Sequence, residues 1–483
     1  MGLTQSEVKL NIVTMTISRD DLNALDGPRY RALADAIAQA IADGRLPPGT
    51  KLPPQRELAD RLGVTVGTVG RAYEIAQQRH LVTAHVGRGT FVTAHDDDAH
   101  AHDFMAAQDV PLSDPRHSPM DLRTNQPVPT AYDALAHAAR EAMAQVEPAA
   151  LLFGYPPTAG HTADRAAGAA WLARHGVEAT ADEVMVTAGT EGGISVALAA
   201  LTRPGEPLLA ASLSYPHFHD MGGIFGLRRH AVEVDEHGLC PAALDAACRD
   251  TGARLLVVNL NLHNPTGSTM PDDRRRALVA VARAHDLILI EDDVYGLLLD
   301  PRPVTLRTLA PERTIYITSV SKTLAPGLRL GFLVAPPDLQ ARLLDAQHTL
   351  LLGVPPLPPK VFRHWLASGL ADQVVAHQRA ETRQRHALAK AALGPLAPNR
   401  AGEGHHLWLR LPGRWRASAL VDRLREADVH VLAGDLFAFG RARVPNAIRL
   451  ALSGAKDQAA LRRALDILVA TIERDARGHE VCA

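Results

Sequence analysis

The sequence predicts an α/β protein in two unequal parts: a small helical module ending in a two-stranded wing, and a large body with helices on both faces of a mainly parallel sheet. Three observations predict it. Beyond Met120, apolar runs of strand length alternate with stretches of helical period, the pattern of strand–helix–strand units. Between residues 27 and 92, three helical patterns precede two strand-like runs joined by Gly87-Arg88-Gly89. Between these regions lies "HDDDAHAHDFMAAQDVPLSDPRHSP", residues 95–119, with six Asp, four His and one Arg, a composition suited to a solvated spacer.

Taking the elements in order, the first 26 residues show no period and are expected to be a loose arm. From Tyr30 the spacing Tyr30, Leu33, Ala34, Ile37, Ala40, Ile41 is helical, and "DGRLPPGTKLPP" breaks it with Gly and four prolines. "QRELADRL" follows as a short helix with Leu58, Ala59 and Leu62 on one face; Gly63 ends it, and Thr65 can cap the helix begun by "VGTVGRAYEIAQQRH". The strand-like runs "LVTAHV" and "GTFVTA" complete the order of a winged helix-turn-helix. In the body, "EVMVTAG", "RLLVVNLN", "LILIED", "TIYITSVS" and "FLVAP" read as strands. The expected division is 1–26 arm, 27–94 winged module, 95–119 linker and 120–483 body, the body's larger part at about 150–350 and its smaller C-terminal part at about 360–483.

The totals set limits on function. At 483 residues the chain is too long for one core. No run approaches about 18 uncharged apolar residues, and the first residues lack a basic stretch followed by an apolar one, so neither export nor membrane spanning is expected. Cys240, Cys248 and Cys482 form no C-x-x-C pair, which fits a reducing cytoplasm and argues against a structural metal. His100-Ala101-His102 in the acidic tract reads as spacer rather than ligand set. Net charge is −2, but residues 27–92 hold nine Arg/Lys against five Asp/Glu, or +4, leaving −6 for the remainder. A basic module on an acidic body is expected where one end meets a polyanion.

One lysine stands out. Only six of the 51 basic residues are Lys, and Lys322 sits after a strand in "SVSKTLAPGLRLGFLVAP", seven residues before Arg329. Guanidinium is no nucleophile, whereas a lysine can be tuned to a free amine that forms an imine. Other polar residues also fall where strands end: Asn264 in "NLNLHNPTG", Asp292 and Tyr295 in "LILIEDDVYG", and Ser319, three before Lys322. Each alone has a plainer reading, as turn, cap or core residue. Ligands of such sheets gather at the strands' carboxyl ends.

With "NPTG", "DDVYG", "SVSKTLAPGLRLG" and "NAIRLAL" in this order, residues from about 120 to 483 resemble the fold-type I aminotransferases that use pyridoxal 5'-phosphate. The resemblance implies that Lys322 holds the cofactor as an internal aldimine, that Asp292 pairs with the pyridine nitrogen, and that Asn264 and Tyr295 hydrogen-bond the ring's phenolate oxygen. It implies a phosphate site at Ser319 and Arg329, with the backbone N–H groups of Gly189 and Thr190 in "MVTAGTEGG", where a helix N-terminus suits a dianion. Tyr215 in "SLSYP" matches the aromatic stacked on the ring. Tyr155 in "YPPTAGHTADR" matches a phosphate contact lent across a dimer, and Arg449 the arginine that clamps a substrate α-carboxylate. Two departures stand out: Asp164-Arg165 where Leu-Arg is common, and Thr190-Glu191 where a small residue and Gln are usual.

The module at 27–92 resembles the GntR-type winged helix through "LPPQRELADRLGVTVGTVGRAY" and "GRGTFV". By that resemblance Arg56, Thr65, Thr68 and Arg71 lie near DNA, with Arg88 at the wing tip, while Thr65 reads equally as a helix cap. The recognition helix departs from relatives in carrying Val66 and Gly70 where arginines are found, with Gly67 between them. The whole is similar to the MocR-like branch of GntR regulators. The implied function is a cytoplasmic, nucleoid-associated homodimer that binds double-stranded operator DNA and pyridoxal phosphate and senses an amino acid, an amine or the cofactor itself. The alternative is an aminotransferase with turnover; a helix-turn-helix protein on an inactive scaffold would call for a broken cofactor site.

Overall fold

A computed structural model of the chain describes residues 28–42, 45–46, 50–78, 81–85, 89–92, 118–145, 148–398, 403–413, 415–440, 442 and 444–478. The expected N-terminal arm, the linker up to residue 117, and Arg88 lie outside the described residues. The chain divides into two compact units, 1–99 and 100–483.

The first unit is a three-helix module with a wing. Its helices are Arg29–Ala42, Gln55–Leu62 and Val66–Gln78, followed by β1 (Val82–His85) and β2 (Gly89–Val92), paired antiparallel with Val82 opposite Val92. The apolar stripe read from the sequence faces inward: Leu33, Ile37, Leu58, Leu62, Val69 and Tyr73 share one buried cluster. Gly63 takes a left-handed φ of 68° and closes the second helix by donating its N–H to the Ala59 carbonyl, a conformation glycine adopts at little cost. Thr65 then caps the third helix, its Oγ1 accepting from the Thr68 N–H at 3.1 Å.

The second unit is built on a seven-stranded sheet. Its strands are β3 (Val184–Thr187), β4 (Pro207–Ala211), β5 (Arg228–Val232), β8 (Leu255–Val258), β9 (Ile288–Asp292), β10 (Thr314–Ser319) and β11 (Gly331–Val334), in the order β3-β11-β10-β9-β8-β4-β5. A short hairpin, β6 (Val234–Asp235) and β7 (Gly238–Leu239), stands apart. Only β11 runs antiparallel to its neighbours; the other pairings are parallel. Every residue of β8 and β10 is buried, as a sheet covered on both faces requires. The apolar sequences of β3, β8, β9, β10 and β11 signal them; β4 and the arginine-led edge strand β5 carry weaker signals.

A smaller antiparallel sheet, β12 (His406–Arg410), β14 (Ala447–Ala451) and β13 (Leu432–Ala433), packs with the helices Leu370–Leu393, Ala417–Glu426 and Gln458–Gly478. Leu122 joins this core from the other end of the unit: its N–H donates to the His430 carbonyl and its carbonyl accepts from Ala451 N–H, both at 2.8 Å. This long-range pairing carries Asn125, three residues on, into contact with the strand ends of the large sheet. No helix of the described residues is long and apolar enough to cross a membrane.

Candidate functional site

The chemistry gathers where β8, β9 and β10 end side by side. Asp292 is the last residue of β9 and Ser319 the last of β10. Asn259, just past β8, donates its side-chain N–H to the Asp292 carbonyl at 2.9 Å, and its Oδ1 accepts from the Asn264 N–H at 3.1 Å. Asn264 Oδ1 in turn accepts from Arg449 Nη1 at 3.1 Å. Asn264 and Arg449, which are 185 residues apart in sequence, therefore meet directly.

Lys322 follows β10 by three residues. Its Nζ donates to the Asn125 carbonyl at 2.7 Å, and the Lys322 carbonyl lies 2.6 Å from His405 Nε2. Desolvation lowers its pKa to about 8; Glu191 and Asp292 oppose that shift, while Arg449 and Arg329 reinforce it. This puts the amine within reach of neutral pH, as nucleophilic lysines require.

Asp292 moves the other way. Burial, then the neighbouring charges of Asp293 and Glu191, raise its pKa to about 8 against the pull of Lys322. Its Oδ1 is buried and has no hydrogen-bond partner. A buried carboxyl oxygen left without a donor is costly, and a cationic N–H donor, such as a protonated pyridine, would satisfy it and restore its charge. Tyr295, its hydroxyl accepting from Asn125 Nδ2 at 3.0 Å, has its pKa raised by burial to about 12. The donor set therefore suits pyridoxal phosphate: an amine, an unsatisfied carboxyl, a phenol and an amide lie on adjoining strand ends.

The side expected to take a phosphate begins at the helix Gly189–Leu201, entered from β3 through Gly189 with φ 74°. Gly189 and Thr190 form its first turn. Arg329, itself at a left-handed φ of 47°, lies against that turn: a Cβ on Gly189 would stand 3.3 Å from its Nη2. Arg329 Nη2 donates to Glu191 Oε2 at 2.6 Å. Glu191 Oε1 accepts from the Tyr215 hydroxyl at 2.7 Å and lies 2.8 Å from His217 Nδ1. Burial would raise the Glu191 pKa, but His217, Tyr215 and Arg329 together hold it well below the usual carboxylate range. Glu191, noted in the sequence only as a departure, is thus the centre of this side of the site.

Arg449, on β14, is fully buried, with its guanidinium 5.0 Å from the Phe437 ring centroid. One Nη donates to Asn264 and the other to the Arg123 carbonyl, while Nε has no partner. Desolvation lowers its pKa to about 10. Sequence reasoning missed Asn125, His217, His405 and His406. Asn125 donates to Tyr295 and to His406 Nδ1 at 2.9 Å, and His406 Nε2 donates to the His263 carbonyl at 3.0 Å. Only "RTNQPVP" and "EGHHLW" marked these positions, and neither signals chemistry without its distant partner.

Other expected residues are placed differently. Tyr155 is 90% exposed. The Asp164-Arg165 departure is structural: Asp164 is buried and pairs with Arg363 at 2.9 Å, and Arg165 reaches Asp182 at 3.2 Å. In the small module Arg56, Thr65 and Arg71 are exposed and Thr68 half-buried, with the Arg71 guanidinium 5.3 Å from the Tyr30 ring centroid. Gly67 has room for a side chain, its nearest neighbour being Thr65 Oγ1 at 3.9 Å. Packing therefore gives no reason for glycine there.

Comparison with known proteins agrees with both units. Residues 118–468 match the family "Aminotransferase class I and II", and residues 29–92 match "Bacterial regulatory proteins, gntR family". The chain is 33% identical over 386 residues to the HTH-type pyridoxine biosynthesis transcriptional regulator PdxR of Corynebacterium glutamicum, covering 76% of this chain and 79% of that protein. It is 28% identical to the HTH-type transcriptional regulator YdeF of Bacillus subtilis, over 93% of this chain and 96% of that one. Among solved structures, the α-aminoadipate aminotransferase LysN of Thermus thermophilus, complexed with N-(5'-phosphopyridoxyl)-L-leucine, matches with a TM-score of 0.65 and 27% identity. That match covers 74% of this chain and 94% of LysN. The chain therefore belongs to the gntR family of bacterial regulatory proteins, in the MocR-like branch whose winged helix-turn-helix precedes an aminotransferase class I and II domain.

Proposed function

We propose that this transcription regulator binds pyridoxal phosphate at Lys322 and reads an amino acid, an amine or the cofactor itself through that site, changing how paired heads grip operator DNA. The observation that carries the reading is the buried, unpartnered Oδ1 of Asp292 beside a lysine amine tuned to about 8. Pyridoxal phosphate, when bound, supplies an aldehyde for a lysine amine and a ring that withdraws electrons. Lys322 presents the amine, Asp292 holds a proton at the ring nitrogen, and Asn264 and Tyr295 donate toward the ring oxygen. Tyr215 faces the ring. Ser319, Arg329 and the N–H groups of Gly189 and Thr190 take the phosphate, and Arg449 positions an α-carboxylate.

Double-stranded DNA is met by Arg56, Thr68 and Arg71, with Thr65 shaping the helix start and Arg88 reaching the backbone from the wing. A homodimer completes the site. Phe153 and Tyr155 are 79% and 90% exposed. Beside them Gly353 packs on Pro156 and Pro157, and Thr158 Oγ1 lies 3.1 Å from His348 Nδ1. The exposed Leu350, Leu351 and Leu352 thus extend one apolar patch, and exposed apolar patches mark interaction surfaces.

The intact site, Arg449 included, also favours a second reading, transamination with turnover. One set of measurements separates the two. Pyridoxal phosphate is added to the purified protein and visible absorbance followed, then amino acids and amines, then a keto acid. The regulator reading expects a band that Lys322→Ala abolishes, one spectral change per amine without many cycles, and salt-sensitive binding to its own upstream DNA that Arg56→Ala weakens. Restoration of the band over many cycles by a keto acid would establish turnover instead. Absence of any band would end the cofactor reading.

A further inference from the structure

Glu191 holds the donors that an anionic ligand of this site would need. Its two oxygens engage three side chains from two segments: Arg329 at 2.6 Å, and Tyr215 at 2.7 Å and His217 at 2.8 Å, which are neighbours on one helix start. It stands in the first turn of the helix Gly189–Leu201, where the positive end of the helix also favours an anion. The arginine and the two neighbouring donors suit a phosphate at this helix end, yet a carboxylate of the chain already holds all three side chains. Resting on the cofactor reading above, we propose that Glu191 is a built-in anionic competitor for the cofactor phosphate: it holds Arg329 in the cofactor-free protein and must yield it on loading, which keeps loading reversible.

The consequence follows from charge. A phosphate dianion entering beside Arg329 meets a negative Glu191 and must displace it or share the arginine; either weakens binding of a phosphorylated ligand and leaves an unphosphorylated one untouched. A regulator that reads the free cofactor benefits, because occupancy then follows concentration. A permanently loaded enzyme has no such need. Glu191→Gln keeps the shape and an oxygen for Tyr215, and removes the charge and the acceptor that holds Arg329.

The test compares pyridoxal phosphate with pyridoxal, which has the same aldehyde and ring but no phosphate, on full-length wild type and Glu191→Gln, reading the visible band by titration. At a pH above the Lys322 value of about 8, where the amine is unprotonated in both proteins, the expected result is that Glu191→Gln binds pyridoxal phosphate about tenfold more tightly and pyridoxal with unchanged affinity. Inorganic phosphate should also raise the melting temperature of the variant more than that of wild type. Because Glu191 also stabilises the Lys322 ammonium, an equal gain for both aldehydes would mean that it acts on the lysine, and would overturn the proposal. So would unchanged or weaker pyridoxal phosphate binding. Arg329→Gln provides an independent check: in that background the gain from Glu191→Gln should vanish, since no arginine is left to release. A band in neither protein would overturn the cofactor reading itself and this inference with it; a band in both without the phosphate-dependent gain overturns this inference alone.

Discussion

At the scale of single residues the site is a set of opposed shifts. Lys322 and Asp292 are both brought to about 8, from opposite sides, by the same burial. An amine attacks an aldehyde only when unprotonated, and the Lys322 amine is protonated below its pKa. The rate of pyridoxal capture should therefore rise about tenfold per pH unit up to about 8 and level off above it. Stopped-flow absorbance with pyridoxal as ligand measures this. In Glu191→Gln the midpoint should move to lower pH, because the lost carboxylate favoured the ammonium; a midpoint near the ordinary lysine value of about 10.4 would show that burial does not govern the amine. Lys322 itself was legible in the sequence because lysine is rare in this chain and because Asn264, Asp292 and Ser319 recur at strand ends. Asn125 and His406 were not. Asn125 reaches Tyr295 across 170 positions and His406 across 281, and hydrophobic period carries no information about such pairs.

At the scale of elements, local chemistry made the head readable in detail. Gly63 at a helix end and Thr65 at the next helix start are decisions taken within four residues, and both appear as read. The body was readable where strands are apolar throughout, as in β8 and β10. It was less so at β5, whose sequence RRHAV is led by two arginines, and at Leu122, which pairs with β14 from the far end of the unit. The Thr65 cap yields a prediction that separates its two readings. Thr65→Ala removes the acceptor for the Thr68 N–H and should cost the head about 1 kcal/mol. Calorimetry should show the head's transition lowered and the body's unmoved, since the two units have separate cores. DNA affinity, measured well below that transition, should change little. Unaltered melting with a large loss of affinity would make Thr65 a DNA contact rather than a cap.

At the scale of the whole molecule the question is why an aminotransferase-class body should be joined to so small a head. The head carries only +4, and its third helix has Val66 and Gly70 rather than arginines in its first turns. One such head binds weakly, chiefly through phosphate neutralisation, and its affinity falls steeply with salt. Two heads carried by a dimer make the second contact intramolecular, and such linkage raises affinity by about 10²–10⁴-fold when the sites suit the linker. The proposed dimer patch around Phe153 and Leu351 should then control DNA binding without touching DNA. Phe153→Asp with Leu351→Asp places charges on exposed positions and should leave the monomer's fold intact. Sedimentation should find it monomeric, and fluorescence anisotropy should find its affinity for paired half-sites lowered about 10²-fold, with affinity for a single half-site unchanged. A monomer that binds paired half-sites as tightly as the wild type would refute the linkage, and the body would then act on each head alone. If the loss occurs, any ligand that alters the spacing of the two heads can switch the operator without contacting either head.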